Sequence, residues 1–290
     1  MGQGQTIVNV ILKQSHLWTH VKIMKLTTNM RAHLSNDTAA ADFAHLLLDI
    51  GEGRLTLAAE PDTINIPPTL GKWVVRLEKL KVEVYQNLAA NYNRPEWLAE
   101  RAIVSPLNTN VNHLNTWLMN EFPGEDKQYK SVDSAMSDEE AVTYPVEFLN
   151  SLELTCMPPH LLKLKVGSPI MVLRSPEPPN TTNGTRCTVI RLHENVIEAT
   201  ISCGPYKGQV VLSPRIPLMP SDAELPFQFR RLQFPIKPCF AMTVNKSQGQ
   251  TFKAIGVDLH ASCFFHGMFY VAASHTGNSA NLSLMAPNNQ

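Results

Sequence analysis

A short run of polar side chains that could bind a phosphodiester follows an apolar stretch at residues 240–242. Its members carry hydroxyl, amide and amine groups. In chain order they are Thr243, Asn245, Lys246 and Gln248. A lysine can pair with a phosphate, and amides and hydroxyls can bond to phosphate or sugar oxygens. A site that a phosphodiester could approach is therefore one interpretation of the run.

An ordinary strand-to-helix turn explains the same run without any ligand. The apolar residues before it predict a strand, and the segment after Gly249 predicts a helix. The N–H groups of a helix N-terminus favour an anion, so that arrangement would strengthen phosphate binding. Composition alone does not separate the turn from the binding site.

The charge balance restricts how nucleic acid could be bound. The 290 residues hold 25 basic and 25 acidic side chains, so their formal net charge is +0. No global field draws the protein to DNA or to an anionic membrane, and any such contact must be local. An apolar fraction of 43% excludes a wholly disordered chain.

The cysteines and the apolar segments predict an intracellular protein. The five cysteines lie far apart without a C-x-x-C pair, which favours reduced thiols over disulfides or a metal site. They are Cys156, Cys187, Cys203, Cys239 and Cys263. No apolar run approaches the ~20 residues of a membrane span, and the N-terminus lacks the pattern of a secretory signal.

Strand and helix patterns alternate in the first half of the chain, which predicts an α/β fold. A strand is expected at 21–26, followed by a helix that ends at Gly51. A helix at 75–92, a short buried strand at 102–104 and a second helix at 111–122 follow. The polar, acidic residues 125–141 predict a surface loop.

Short β-rich runs separated by turn residues begin near residue 161. Their spacing predicts a small β-barrel inserted at 168–232, after which the α/β pattern returns. Four arginines give this region local basic character, although solvated side chains explain them better than DNA contacts do. They are Arg186, Arg191, Arg230 and Arg231.

Several segments resemble PIF-one-type DNA helicases, and the Helitron-transposon branch in particular. N-K-S-Q-G-Q-T at 245–251 resembles their motif V, and the L-T-T-N-M-R ending of 20–31 resembles motif IV. R-A-I-V-S-P-L-N at 101–108 resembles a further strand of the family. Shorter matches are Y-P-V-E-F-L, L-K-V-G-S-P-I-M-V-L and N-G-T-R, at 144–149, 164–173 and 183–186. The six fragments occur in the family's order, and the resemblance extends over nearly the whole chain.

The resemblance implies a RecA-like second motor domain with an inserted small β-barrel. Residues 1–30 would then be the tail of a first RecA-like domain, and 31–167 and 233–290 the two parts of the second. It also implies ATP-dependent 5′-to-3′ unwinding, with ATP and Mg²⁺ as cofactors and single-stranded DNA as partner. The family's work in repair, recombination and telomere maintenance makes a nuclear location the expectation.

The resemblance also implies roles for individual residues. Arg31 matches the motif IV arginine that reaches the γ-phosphate of ATP. His275 stands where motif VI ordinarily has a second arginine, in Y-V-A-A-S-H at 270–275. Asn108 would join the motif V residues on DNA, although a helix or turn cap is an equal alternative. Gly249 and Gln250 would lie on the nucleotide side of motif V.

The chemistry of the first motor domain is missing from these 290 residues. No G-x-x-x-x-G-K-[ST] loop is present, and the Gly71-Lys72 step lacks the upstream glycine. The acidic pair that would hold magnesium is also missing. We therefore expect the chain alone to be inactive and to bind neither ATP nor Mg²⁺ tightly.

Three interpretations follow for the chain as a whole. The first is the C-terminal motor half of a helicase, which a separately encoded P-loop domain could complete. The second is a non-catalytic single-stranded-DNA-binding module derived from a transposon. The third is a non-functional gene fragment.

Overall fold

The computed structural model describes residues 15–24, 38–55, 66–175, 181–220, 225–260 and 267–286. These residues form fifteen β-strands. In chain order the strands are β1 (Lys72–Val74), β2 (Arg101–Ser105), β3 (Asp126–Lys130), β4 (Val132–Ala135), β5 (Leu161–Lys165), β6 (Pro169–Val172), β7 (Arg186–Leu192), β8 (Val196–Ile201), β9 (Val210–Pro214), β10 (Ile216–Leu218), β11 (Phe229–Gln233), β12 (Ile236–Pro238), β13 (Ala241–Thr243), β14 (Ala254–Asp258) and β15 (Leu282–Met285).

Eight α-helices and four short 3₁₀ helices complete the described elements. The α-helices are α1 (Thr38–Gly51), α2 (Leu77–Val84), α3 (Leu88–Asn91), α4 (Pro95–Ala99), α5 (Asn108–Glu121), α6 (Asp138–Thr143), α7 (Val146–Ser151) and α8 (Met268–Ala273). The 3₁₀ helices are His16–His20, Pro68–Leu70, Val244–Ser247 and Ser279–Asn281. None of these helices is long and apolar enough to cross a membrane.

A five-stranded parallel sheet forms the centre of the fold, with strand order β1-β15-β14-β2-β13. Helices cover both of its faces, as is usual for parallel strands. On one face, Leu47 of α1 shares a core with Val104 of β2. On the other face, Leu114 of α5 shares a core with Ile103. The predicted α/β class is confirmed.

Gly256 in β14 permits the close approach of α2 to the sheet. A Cβ at this position would lie 2.8 Å from a Cγ2 methyl of Val84 and 3.1 Å from Leu80. Both of these side chains are buried in the core. A larger residue at position 256 would therefore push α2 away from the sheet.

Along the chain, the strands of three antiparallel sheets are inserted between β2 and β13, which are neighbours in the parallel sheet. One has the order β12-β6-β7-β8-β9, a second has the order β10-β11-β4, and β3 pairs with β5. Among the described strands no pairing joins β12 to β9, so a closed barrel is not confirmed. The boundaries drawn at 168 and 232 remain a prediction.

The surface loop predicted at 125–141 is wrong, because these residues form β3, β4 and α6. In β3 the sequence D-K-Q-Y-K turns only Tyr129 into the core, where it is 2% exposed. The other four side chains are polar, so the sequence shows no alternation of apolar and polar residues that would predict a strand. Pairing of β3 with β5, and of β4 with β11, supplies the backbone hydrogen bonds that stabilise it.

Two other predicted elements differ from the structure. Residues 21–24 have no regular structure, and Val21, Ile23 and Met24 are exposed, so the strand predicted at 21–26 is wrong for its described part. The helix predicted at 75–92 is divided into α2 and α3. Asn87 adopts a left-handed backbone conformation with φ of 53°, which interrupts the helix.

Candidate nucleic-acid interface

The carboxyl ends of β2 and β13 bring two predicted binding segments together. The strands are parallel neighbours, and Thr243 at the end of β13 pairs in register with Ser105 at the end of β2. Asn108 opens α5 immediately after β2, and it is exposed. Residue Leu107 precedes it as the N-cap, so Asn108 is not the helix cap that the sequence allowed. Asn108 and the run after Thr243 therefore lie at one edge of the sheet.

The turn after β13 is a 3₁₀ helix of four residues, Val244–Ser247, and β14 is the next element. The helix predicted after Gly249 is therefore wrong, because the turn is followed by a strand and not by an α-helix. Val244 and Ser247 point inward, whereas Asn245 and Gln248 are exposed. We call residues 243–250 the edge turn.

Gly249 ends the exposed part of the edge turn with a φ of +80°. This left-handed conformation is unfavourable for residues with a Cβ, although nothing lies within 4 Å of one built there. The next residue, Gln250, closes the turn by donating its backbone N–H to Ser247 O at 3.0 Å. Its side-chain Nε2 donates to Lys246 O at 3.2 Å.

Lys246 is held at the surface by a neutral partner. Its Nζ donates a hydrogen bond of 2.7 Å to Oδ1 of Asn183, which lies in the turn between β6 and β7. An amide oxygen orients the amine without neutralising its charge. The lysine therefore remains available to a phosphate.

His275 lies beneath the edge turn and is only 3% exposed. Its Nε2 is 2.8 Å from Ser247 Oγ, and its Nδ1 is 3.1 Å from Gln250 O. A carbonyl oxygen can only accept, so Nδ1 carries the proton of that bond. The backbone carbonyl of His275 also accepts from Phe252 N at 2.9 Å. The histidine thus holds the second half of the turn, residues 247–250, in this conformation.

A buried carboxylate that the sequence analysis missed fixes the start of α5. Asp258, at the end of β14, is 1% exposed. Its Oδ2 accepts from Ser105 Oγ and Asn110 Nδ2, both at 3.0 Å, and its Oδ1 accepts from His260 N at 3.0 Å. An aspartate that ends the apolar strand I-G-V-D was the only sequence signal for this link.

Two of the four arginines expected to be solvated are buried instead. Arg231 is fully buried and forms a bidentate pair with Asp133, whose Oδ2 lies 2.7 Å from its Nη2. It also donates to three carbonyl oxygens, those of residues 149, 152 and 158. Arg186 is 1% exposed and donates to the carbonyls of residues 98, 99 and 101. Arg191 and Arg230 are exposed, as expected.

Two family models match separate stretches of the sequence. The model described as PIF1-like helicase matches residues 1–61, and the model of the DNA helicase Pif1 2B domain matches residues 147–192. This chain is related to the PIF1-like helicases. The 2B match spans β5, β6 and all of β7, together with the segment that precedes them.

Two curated DNA helicases share a stretch of sequence with this chain. It is 30% identical over 131 residues to ATP-dependent DNA helicase PIF6 of Trypanosoma brucei brucei, which covers 43% of this chain and 16% of that protein. It is 30% identical over 127 residues to ATP-dependent DNA helicase Pif1 of Bdellovibrio bacteriovorus, with 44% and 28% covered. The matched stretches thus take up less than a third of either relative.

The crystal structure of Pif1 helicase from Candida albicans superposes on this chain with a TM-score of 0.58. The match has 20% sequence identity and covers 94% of this chain and 59% of that one. At this identity the likeness shows the fold. The parallel sheet with helices on both faces is therefore RecA-like, as predicted.

The structure describes only some of the residues that the resemblance to PIF1-like helicases would place near a nucleotide. Arg31 lies outside the described residues. The Gly71-Lys72 step does not form a phosphate loop, because Lys72 begins β1 and its Nζ pairs with Glu83 at 2.6 Å. The described residues also contain no group of three or more His, Cys, Asp or Glu side chains that could hold a metal ion. These residues do not fit ATP and Mg²⁺ by themselves.

Proposed function

We propose that this chain provides the second RecA-like motor domain of an ATP-dependent DNA helicase and binds single-stranded DNA along the carboxyl edge of its parallel sheet. The observation that carries the proposal is the register of β13 with β2, which sets Asn108 beside the edge turn. Amide and hydroxyl groups from two chain segments therefore face the same edge. Lys246 adds a positive charge that no carboxylate neutralises in its hydrogen bond.

The proposal assigns a limited part of the motor to these residues. Residues 1–30 continue a first domain, 31–167 and 233–290 build the second, and 168–232 form its insertion. Hydrolysis of ATP requires a P-loop and magnesium ligands from another segment or from a separately encoded chain. In that assembly Arg31 contacts the γ-phosphate, and Gly249 and Gln250 face the nucleotide side.

His275 limits the charge that this domain can supply to phosphoryl transfer. A histidine has neither the permanent charge nor the bidentate fork of an arginine. Its ring is also engaged by the edge turn through Ser247 and Gln250. We propose that its role here is to support the DNA-binding turn.

Binding of oligothymidylate by the 290-residue chain tests the DNA assignment. Fluorescence anisotropy should show weak binding, with a salt slope that corresponds to about one to three phosphates at ~0.7 per phosphate. Lys246→Gln should weaken binding and reduce that slope by ~0.7. Lys79→Gln is the matched control, because Lys79 is exposed on α2, which packs mainly against β14 and β15. Equal effects of the two variants would refute the edge-turn assignment.

Phosphate release tests the division of labour between the two motor domains. The chain with Mg²⁺, ATP and single-stranded DNA should release phosphate at the buffer rate, because nothing in it positions the γ-phosphate or its metal. A catalytically dead P-loop variant of a complete helicase, purified in parallel, sets the background from contaminating ATPases. Turnover that stays with the protein through repurification would contradict the proposal.

A further inference from the structure

A groove with a mixed polar and apolar lining begins at Asn108, which lies beside the edge turn, and runs between one face of α5 and residues 150–161. Its volume is about 560 Å³, within the ~300–1,000 Å³ of sites that enclose small ligands. Asn108 lines one end of it, and Asn120 lies twelve residues further along α5. At a rise of ~1.5 Å per residue this face is ~18 Å long, enough for several nucleotides. We call this feature the α5 groove.

The α5 side of the groove presents amides and hydroxyls at helical spacing. Its exposed polar members are Asn108, Thr109, Asn112, Thr116 and Asn120. On the opposite wall, the buried Oδ1 of Asn150 has no hydrogen-bond partner among the described residues. These groups match the oxygens and hydrogen-bonding edges of a nucleotide chain.

Arg231 holds the opposite wall in place before any ligand arrives. Its guanidinium donates to the carbonyls of Leu149, Leu152 and Pro158, which lie along that wall. Its charge is neutralised by Asp133, which is also buried. The groove is therefore preformed, and Arg231 is a positioning residue whose charge is not available to a ligand.

Lys237 supplies a charge for which the described residues provide no carboxylate partner. It lies on β12 in the lining of the groove and is largely buried. Burial lowers the pKa of its amine, and the nearby charge of Lys246 lowers it further. The other groups acting on that pKa are the thiols of Cys239 and Cys156, and no carboxylate is among them. A phosphate placed here would stabilise the protonated amine.

The remaining lining residues favour a nucleic-acid backbone. Lys163 adds a second positive charge, and Glu153 is the acidic residue among the described lining. None of the described lining residues is Phe, Tyr or Trp, and His160 is the one aromatic ring among them, so binding would depend on phosphate and sugar contacts more than on base stacking. We propose that a single strand bound at the edge turn continues along α5 into the α5 groove, where Lys237 pairs with a phosphate. This extension rests on the proposed function.

Oligothymidylates of two lengths distinguish binding in the α5 groove from binding at the edge turn. Strands of about 5 and about 16 nucleotides span the range of small single-strand sites. Lys237→Gln should weaken binding of the long strand about threefold to tenfold and reduce its salt slope by ~0.7, while leaving the short strand unchanged. Lys246→Gln should weaken both lengths. Lys237→Arg should retain binding of the long strand, and Lys79→Gln should resemble the wild type.

The outcomes distinguish failure of this inference from failure of the proposed function. If Lys246→Gln weakens both lengths and Lys237→Gln weakens neither, the groove is not part of the DNA path and the edge turn still is. If the wild type binds neither length at ~20 mM salt, both proposals fail.

Amine footprinting of the wild-type chain gives an independent test that needs no variant. The long strand should protect Lys237 from an acylating reagent, as measured by mass spectrometry, and the short strand should not. If polyglutamate protects Lys237 and DNA does not, the groove binds an acidic peptide instead of a DNA strand, and the inference is overturned.

Discussion

Two buried arginines of the antiparallel sheets, Arg186 and Arg231, and two lysines near the edge turn, Lys237 and Lys246, are all basic in sequence, yet their surroundings are opposite. Arg186 and Arg231 are buried and donate to backbone carbonyls, and Arg231 is also paired with a carboxylate. Lys246 is held by an amide oxygen, and Lys237 has no acidic group among its electrostatic neighbours. A basic residue is available to DNA only if its charge is not already compensated within the fold. Counting basic residues therefore predicts binding poorly.

The largest expected effect is at Arg231. Arg231→Ala leaves Asp133 buried without its partner, so unfolding should require ~3–5 kcal/mol less free energy. Urea denaturation followed by circular dichroism measures this loss. The exposed neighbour Arg230→Ala is the matched control and should stay within ~0.5 kcal/mol of the wild type. If the two variants are equally stable, the buried pair is not structural.

Arg186→Met should have a smaller effect on stability. It removes the donors for three carbonyl oxygens next to α4 and the start of β2, which should lower the free energy of unfolding by ~1.5–3 kcal/mol. The same urea titration, with Arg191→Met as the exposed control from the same strand, measures it. A wild-type midpoint would mean that water satisfies these carbonyls equally well.

The smallest effect should be a gain in stability at Lys237. Burial lowers the pKa of the amine in the folded state, so the unfolded chain binds more protons. The contribution of Lys237 to stability therefore rises as the pH approaches 10.5, the ordinary pKa of a lysine. Lys237→Met should therefore be more stable than the wild type near neutral pH. That advantage should shrink as the pH rises toward about 10.

Thermal unfolding of the wild type and Lys237→Met across this pH range checks the sign. Lys79→Met, from an exposed lysine, should show no such trend. An advantage that grows with pH would mean that the amine is compensated in the folded state, and it would remove the reason to expect a phosphate there.

His275 shows how the fold changes the meaning of a substitution. In sequence it stands where the resembling family has an arginine, which suggested that an arginine would restore a missing charge. In the structure the ring is buried and bonded to Ser247 and Gln250 of the edge turn. Replacing it with arginine would disturb that turn before it added a charge to a cleft. Any gain in catalysis would have to exceed the cost of that disturbance.

The sequence by itself determined the α/β class, the strands β2 and β13 and the helix α5, because each has a clear period or an apolar run. It also identified the edge turn, since small and polar residues follow an apolar strand there. Thr243, Asn245, Lys246 and Gln248 could be named as candidate DNA contacts without coordinates. Their roles remain predictions for the DNA-binding measurements.

Only the tertiary structure decided which of the basic residues are internal and where the α5 groove lies. Strand β3 has one inward side chain among four polar ones, so its pairing with β5 leaves no clear pattern in sequence. Burial of Arg231 depends on Asp133, which is 98 residues away. Lys237 and Asn108 line one groove because β12 and α5 pack together. Such contacts join distant parts of the chain, and local periodicity carries no information about them.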